Sequence, residues 1–459
     1  MSITTINPAT GEQLATYTTH DDAQVEALLA AGHTATAAWG LTPLPDRVTA
    51  IRRLADVLRA EADVLASLAT AEMGKPLAEA RGEVEKSAVT ADYYATNATV
   101  LLADQQVQID GVDAWVAREP LGLVYAVMPW NFPVWQVMRF AVPALTAGNG
   151  VVLKHSPNVS GSAVALQELV EKAGVPAGVF TTLLIEEERV PAVSDRIVAD
   201  DRIAAVTLTG SNRAGSAVGA AAGRAVKPSV LELGGSDAFV VLADADVKRA
   251  AATAVRARFT NAGQSCVCAK RFIVDASVAE EFTTAFLDGV ANLVVGDPTE
   301  AGTTVGPMAR HDLRDGIDRQ VSASIDAGAT LLAGGAAIEG TGAFFQPTVL
   351  GDVKPGMPAF DEETFGPVAA ISVAADEDDA VRLANASEFG LGLSVWSSDQ
   401  SRAVAFARRV TTGAAFINAM VASDPRVPFG GTKRSGYGRE LAELGMYEFM
   451  NLRTYWAAP

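Results

Sequence analysis

Residues 122–128 read GLVYAVM and residues 150–154 read GVVLK. Similar runs follow at 179–185 (VFTTLLI), 204–208 (AAVTL) and 229–233 (SVLEL). Each is short, apolar and rich in Val, Leu or Ile. Between them lie helical patterns: over Ser160–Ala173, for instance, Val164, Leu166, Leu169, Val170 and Ala173 can line one buried side. Strand alternating with helix at these lengths predicts a parallel, doubly wound α/β sheet. Such sheets take ligands at the carboxyl ends of their strands.

Outward from this core the chain changes character. From Asp21 to about Ala103, Ala, Leu and Val recur at helical spacing among Arg, Glu and Asp, broken once by Pro43 and Pro45. A second βα-rich block runs from Gly234 to Ala419, with strands expected at Phe239–Leu242, Arg271–Val274 and Leu393–Trp396. Gln106–Val116 reads as a hairpin interrupting the first domain, and Asn451–Trp456 as a terminal strand. Edge strands of this kind suit subunit pairing. A length of 459 residues fits two or three domains.

The net charge of −18 disfavours nucleic acid and anionic membranes as partners. The first residues, MSITTINPATGEQL, lack the basic start and apolar run of a signal peptide. No stretch approaches the ~18 uninterrupted apolar residues of a membrane span. A cytoplasmic enzyme is expected. Metal catalysis is not, because the four histidines lie far in sequence from the two cysteines.

Those cysteines both fall in FTNAGQSCVCAKR, residues 259–271. They cannot form a disulfide framework. A thiol after Gly-Gln-Ser, just beyond a helix, is where a nucleophile would be placed, so Cys266 is the candidate and Cys268 its companion. Two cysteines two apart can also come within disulfide range if the loop bends. Glu232 stands in an apolar strand 34 residues earlier, and burial would lift its pKa towards that of a general base. Asn131, between prolines in PWNFP (129–133), is a preorganised amide donor for an oxyanion. No G-x-G-x-x-G occurs, but Thr207–Ser211 closes a strand at Gly210 and opens a helix at Asn212. That turn can hold a phosphate or be only an N-cap by Ser211.

PWNFP, LTGS (208–211), LELGG (231–235), GQSC (263–266), EETFGPV (362–368) and PFGGTKRSGYGRE (428–440) together resemble the aldehyde dehydrogenase superfamily, in its order and separations. The likeness runs from INPATGE at Ile6 to the terminal strand and is strongest to the shorter bacterial succinate-semialdehyde dehydrogenases. It implies that fold: a Rossmann-like cofactor domain (1–104 and 118–233), an α/β catalytic domain (234–419), oligomerisation strands (105–117 and 440–459) and a return segment (420–439) lining the active site. It implies a homodimer or homotetramer acting on a small aldehyde.

By the resemblance, Cys266 attacks the aldehyde carbon, Asn131 and the Cys266 N–H hold the oxyanion, and Glu232 activates water to hydrolyse the thioester. Trp130, Lys154, Gly210 and Ser211 fall at cofactor positions, as do Leu233, Glu363 and Phe365. His155, Ser156 and Pro157 follow the lysine; Pro157 stands where NAD-selective relatives often carry Glu. Nothing there repels a 2′-phosphate, so NADP is expected, with NAD usable. Arg139 and Ser423 match positions that bind the distal carboxylate of succinate semialdehyde. A further family Arg is Thr260 here, and Arg426 is the candidate replacement, with pairing to Asp424 its alternative. Broad-specificity or glutarate-semialdehyde oxidation is the alternative substrate reading. Retention of Glu232 argues against transfer to coenzyme A.

Overall fold

The computed structural model describes residues 2–458. The helical start divides into Asp22–Gly40, Leu44–Ala60, Ala62–Met73 and Leu77–Leu101. Asp21 caps the first: it accepts the Gln24 N–H at 2.8 Å while the Gln24 side chain accepts the Asp21 N–H at 2.9 Å. Besides the proline break there are two more, at Glu61 and at Gly74–Pro76. Gly74 ends its helix in the left-handed conformation (φ 82°), a termination that apolar periodicity does not reveal. Ahead of the helices, Ser2–Ile6 pairs with Gln13–Thr18 in a hairpin the sequence did not predict. Its strands are Thr-rich and mostly exposed, so no apolar run announces them.

The five apolar runs form one parallel sheet, in the order Ser229–Glu232, Ile203–Thr209, Leu123–Met128, Gly150–His155 and Phe180–Thr182. Expected strands match these within a residue or two, except that 179–185 shortens to Phe180–Thr182. Helices Ser160–Lys172 and Asn212–Arg224 stand where expected. A second, seven-stranded sheet includes Asp237–Val241, Ala269–Asp275 and Leu393–Trp396 and is parallel except at its edge strand Thr330–Ala333. Phe239 stacks on Trp396 at 5.5 Å in its core.

Two connections relate these layers. Met450–Ala457 pairs along Val112–Pro120, which in turn pairs with Gln105–Ile109, so the predicted hairpin and terminal strand share one antiparallel sheet. Gly436 and Tyr437, after the second sheet, pair with Glu232 and Leu231 of the first. The chain thus returns across the edge that carries Glu232.

Helix Trp135–Ala147 starts immediately after PWNFP, and its first N–H groups need partners. Glu83, from helix Leu77–Leu101, accepts from Val134 and Trp135 N–H at 2.8 Å each. Its second oxygen pairs with Lys75, also buried, whose ammonium lies 3.7 Å from the Phe132 ring centroid. Removing one member of a buried ion pair strands the other. Lys75→Met should lower stability by about 3 kcal/mol, measured by urea unfolding; an unchanged midpoint would show that Glu83 needs no cation.

Candidate active site

Helix Val247–Phe259 ends in a tight reversal in which Asn261, Ala262 and Gly263 are all left-handed, φ 54°, 52° and 72°. For Asn and Ala this costs of order 1 kcal/mol each. The surroundings hold it. Glu79 accepts the Asn261 N–H at 2.7 Å, and Asn261 Nδ2 donates to the Asn131 carbonyl at 2.9 Å. Gln264 Oε1 accepts the Ala309 N–H at 2.9 Å. At Gly263 any Cβ would collide with the Gly366 carbonyl. Buried Lys270 donates to the carbonyls of Ser265 (2.9 Å) and Cys266 (2.8 Å) and faces Glu363 at 3.4 Å.

Cys266 is presented on this braced turn, partly exposed, against an apolar group of Trp135, Leu391, Phe429 and Leu441. Its backbone N–H has no partner among the described residues. The Asn131 side-chain amide gives one hydrogen bond, to the Gln264 carbonyl at 3.0 Å, and keeps a second N–H free. Two uncommitted N–H donors therefore sit on the loops that carry and brace the thiol, as an oxyanion would require. Close protein packing pushes the thiol up to about 12, with Arg139 and Lys270 opposing the shift. Cys268 is buried, its Sγ 3.9 Å from the Thr260 carbonyl, and both thiols are free.

Glu232 ends its strand fully enclosed, and neither carboxylate oxygen has a hydrogen-bond partner. Burial, reinforced by Glu440, raises it well above the usual carboxylate range; Arg139 and Arg439 pull the other way. At Gly430 a Cβ would sit 2.7 Å from Glu232 Oε1, so glycine makes room for the carboxylate.

On the cofactor side the structure brings Trp130 and Phe365 edge to face at 5.8 Å. Glu363 accepts the Gly235 N–H at 2.9 Å. Ser211 is an N-cap, accepting from Ala214 N–H at 3.3 Å, and Gly210 N–H is taken by the Glu232 carbonyl at 2.9 Å. Next to them Gly215, Ser216, Gly219, Leu231 and Leu233 line a cavity of about 370 Å³ together with Lys433 and Arg434. Gly215 is required, since a Cβ there would strike the Leu233 side chain. Glycines and leucines on one side and the Lys433 and Arg434 side chains on another give the cavity room for a flat ring with anionic groups nearby. Lys154 is buried yet forms no ion pair or hydrogen bond among the described residues, and burial brings its ammonium down to about 8. An unmatched cation at the carboxyl end of a parallel strand fits a nucleotide's ribose or phosphate.

His155 departs from expectation. Its Nε2 lies 2.9 Å from the Pro133 carbonyl and its Nδ1 accepts the Ser156 N–H at 3.0 Å, which the neutral Nε2–H tautomer satisfies. Burial lowers it to about 4. The ring clamps the PWNFP loop and has no free nitrogen for a ligand. Ser156 Oγ donates to Asn158 at 2.7 Å, and Pro157 opens the short turn Pro157–Val159.

The aldehyde dehydrogenase family model matches residues 1–455. The chain belongs to the aldehyde dehydrogenase family. It is 46% identical over 451 residues to a succinate semialdehyde dehydrogenase (NAD(P)+) of Escherichia coli, covering 98% of this chain and 97% of that one. It is 47% identical to a succinate-semialdehyde dehydrogenase (NADP(+)) of Mycobacterium tuberculosis, covering 100% of both. The structure of succinic semialdehyde dehydrogenase from Streptococcus pyogenes in complex with NADP+ superposes with a TM-score of 0.96 at 37% identity, again over 100% of both chains.

On the substrate side of this aldehyde dehydrogenase, two of the expected cations are engaged. Arg426 is 74% exposed at its side chain and holds Asp424 through two bonds of 2.7 and 2.6 Å, so it does not replace the arginine missing at Thr260. Arg139 is buried and ion-paired with Glu440, donates to Thr209 Oγ1 at 3.3 Å and lies over the Phe429 ring at 4.6 Å. Its charge is met, although Nη1 makes no hydrogen bond. Ser423 lines an apolar cavity of about 340 Å³ beside Val267, Leu391 and Phe429, and accepts a 2.7 Å hydrogen bond from Lys86. Sequence reasoning missed Lys86, Glu83 and Glu440. One signal was available: Glu79, Glu83, Lys86 and Thr90 form a polar stripe at helical spacing in a helix otherwise rich in Ala.

With its thiol raised, Cys266 is protonated at neutral pH, and the thiolate fraction should grow about tenfold per pH unit below the pKa. Iodoacetamide labelling of the cofactor-free enzyme should therefore climb from pH 7 to 10 without a plateau, Cys268 staying unlabelled. A plateau below pH 9 would contradict this picture of the resting site.

Proposed function

We propose that this aldehyde dehydrogenase oxidises succinate semialdehyde to succinate, with NADP preferred to NAD. Glu232 carries the reading: a buried carboxylate with both oxygens free, acting electrostatically on a thiol whose loops carry two uncommitted N–H donors. Such a base can take the proton from the water that hydrolyses an acyl-enzyme.

In this reading the Cys266 proton passes to solvent water, the sulfur bonds to the aldehyde carbon and the C=O π pair moves onto the oxygen. The resulting oxyanion accepts from the Asn131 amide and the Cys266 N–H. The bound nicotinamide supplies the hydride acceptor. Glu232 then takes a proton from water as its oxygen adds to the thioester carbonyl, and the C–S bond breaks to release the carboxylate and regenerate the thiol. Lys154, Ser156 and the Ser211 helix start would hold the adenosine end, with Glu363 and the Trp130–Phe365 pair towards the nicotinamide. The preference for NADP rests on unmatched Lys154 and on Pro157, which puts no carboxylate beside a 2′-phosphate.

Two other features belong to the proposal. The sheet of Gln105–Ile109, Val112–Pro120 and Met450–Ala457 exposes Ile109, Leu452 and Trp456, which suits pairing with a second copy. A thiol-dependent site with no disulfide suits the cytoplasm.

Formation of reduced nicotinamide should favour succinate semialdehyde over butyraldehyde, which matches its chain length without the charge. Glutarate semialdehyde should fall between them. Equal kcat/KM for succinate semialdehyde and butyraldehyde would sink the substrate assignment. Glu232→Gln should lower kcat by about 100-fold or more while still giving a stoichiometric burst of reduced nicotinamide; loss of the burst would place Glu232 before thioester formation. Pro157→Glu should reduce kcat/KM for NADP about tenfold and leave NAD little changed.

A further inference from the structure

We propose that Lys86 receives the distal carboxylate of the aldehyde, with the Ser423 hydroxyl as its second donor. The inference rests on the substrate reading above and assigns that carboxylate to a residue outside the motifs.

The other cations around the thiol and the base have partners; Arg439 donates to the Gly431 and Gly438 carbonyls. Lys75 pairs with Glu83, Arg139 with Glu440, Lys270 with Glu363 and Arg426 with Asp424. Lys86 has no carboxylate within 4.0 Å among the described residues. Of its three N–H donors one is used, on Ser423 Oγ at 2.7 Å, and the ammonium lies 4.4 Å from the centroid of the Trp135 ring. Trp135 belongs to the same apolar group that Cys266 packs against. Burial and Arg139 disfavour the Lys86 charge while Glu83, Asp424 and Cys266 favour it, so the ammonium and the thiol lie within electrostatic reach of each other. A partly desolvated, unpaired cation gains most from an anion that arrives with the ligand.

The fold keeps this cation in place, and the two carboxylates that act on it, Glu83 and Asp424, are bonded to other cations. Lys86 stands three residues after Glu83 on helix Leu77–Leu101, and Glu83 is bonded to the N–H groups of Val134 and Trp135. The helix face is thereby locked to the loop that carries Asn131. Asp424, next to Ser423, is held by two bonds to Arg426. A substrate bonded to Cys266 through its aldehyde carbon would lay its two methylenes across Trp135 and extend its carboxylate to Lys86. The charge lost at Thr260 is supplied from the opposite wall.

Steady-state rates with saturating NADP for the parent, Lys86→Met and Lys86→Arg test the assignment, each with succinate semialdehyde and butyraldehyde. Lys86→Met should raise KM for succinate semialdehyde about 10- to 100-fold, leave the KM for butyraldehyde unchanged or lower it, and change kcat little. Lys86→Arg should recover most of the loss. Inhibition by succinate should weaken in parallel. If Lys86→Met depresses both substrates equally, or leaves the preference for the charged aldehyde intact, Lys86 is a structural partner of Ser423 and Asp424 and the proposal fails while the substrate assignment stands. If the parent shows no preference to begin with, the substrate assignment fails and takes this proposal with it. Lys86→Gln carries the same comparison should the methionine variant not fold.

Discussion

Two asparagine side chains hold the site together. Asn131 Nδ2 donates to the Gln264 carbonyl, and Asn261 Nδ2 donates to the Asn131 carbonyl, so a loop ending a strand of the first sheet is laced to the loop before a strand of the second. Neither loop could hold its shape alone. Three successive left-handed residues put the nucleophile turn in a conformation that an isolated chain would leave. Their positions are kept by bonds reaching in from the Leu77–Leu101 helix, through Glu79, and from Ala309. The Asn131 amide that would stabilise an oxyanion is thus also a fastener. Its orientation towards the thiol follows from the same bonds that fix the turn.

Electrostatically the site is a set of enclosed ions with few spare partners. Glu440 answers Arg139, Glu363 answers Lys270 and Glu83 answers Lys75. Such pairs contribute little net stability, but each is costly to leave half-made, so they favour one arrangement of the loops over many. Against this background the unmatched groups stand out: Glu232, Lys154 and Lys86. One acts on the thiol, one stands at the end of strand Gly150–His155, one lies over the Trp135 ring. Desolvation raises both Cys266 and Glu232 above their usual values, because the surrounding protein disfavours the charged form of each.

Read alone, the chain showed the alternation of strands and helices and the two antiparallel end segments, and it put Cys266, Glu232 and Asn131 forward as candidates. Buried parallel strands must be continuous apolar runs, and a charged or polar residue inserted in one, such as Glu232, is visible at once. It was less informative wherever the signal was conformational. The helix stop at Gly74 and the Thr-rich first hairpin carry no apolar pattern. Charge partners lay beyond it as well, because Arg139 and Glu440, or Lys86 and Ser423, are hundreds of residues apart and meet only after the return segment crosses the first sheet. Arg426 and His155 were read from their positions in the chain, yet a near neighbour, Asp424, takes the first and the Pro133 and Met128 carbonyls enclose the second. Residue type tells what chemistry a side chain can do; which charges are already spent is decided by tertiary packing, since a desolvated ion is defined by what lies within a few ångströms of it.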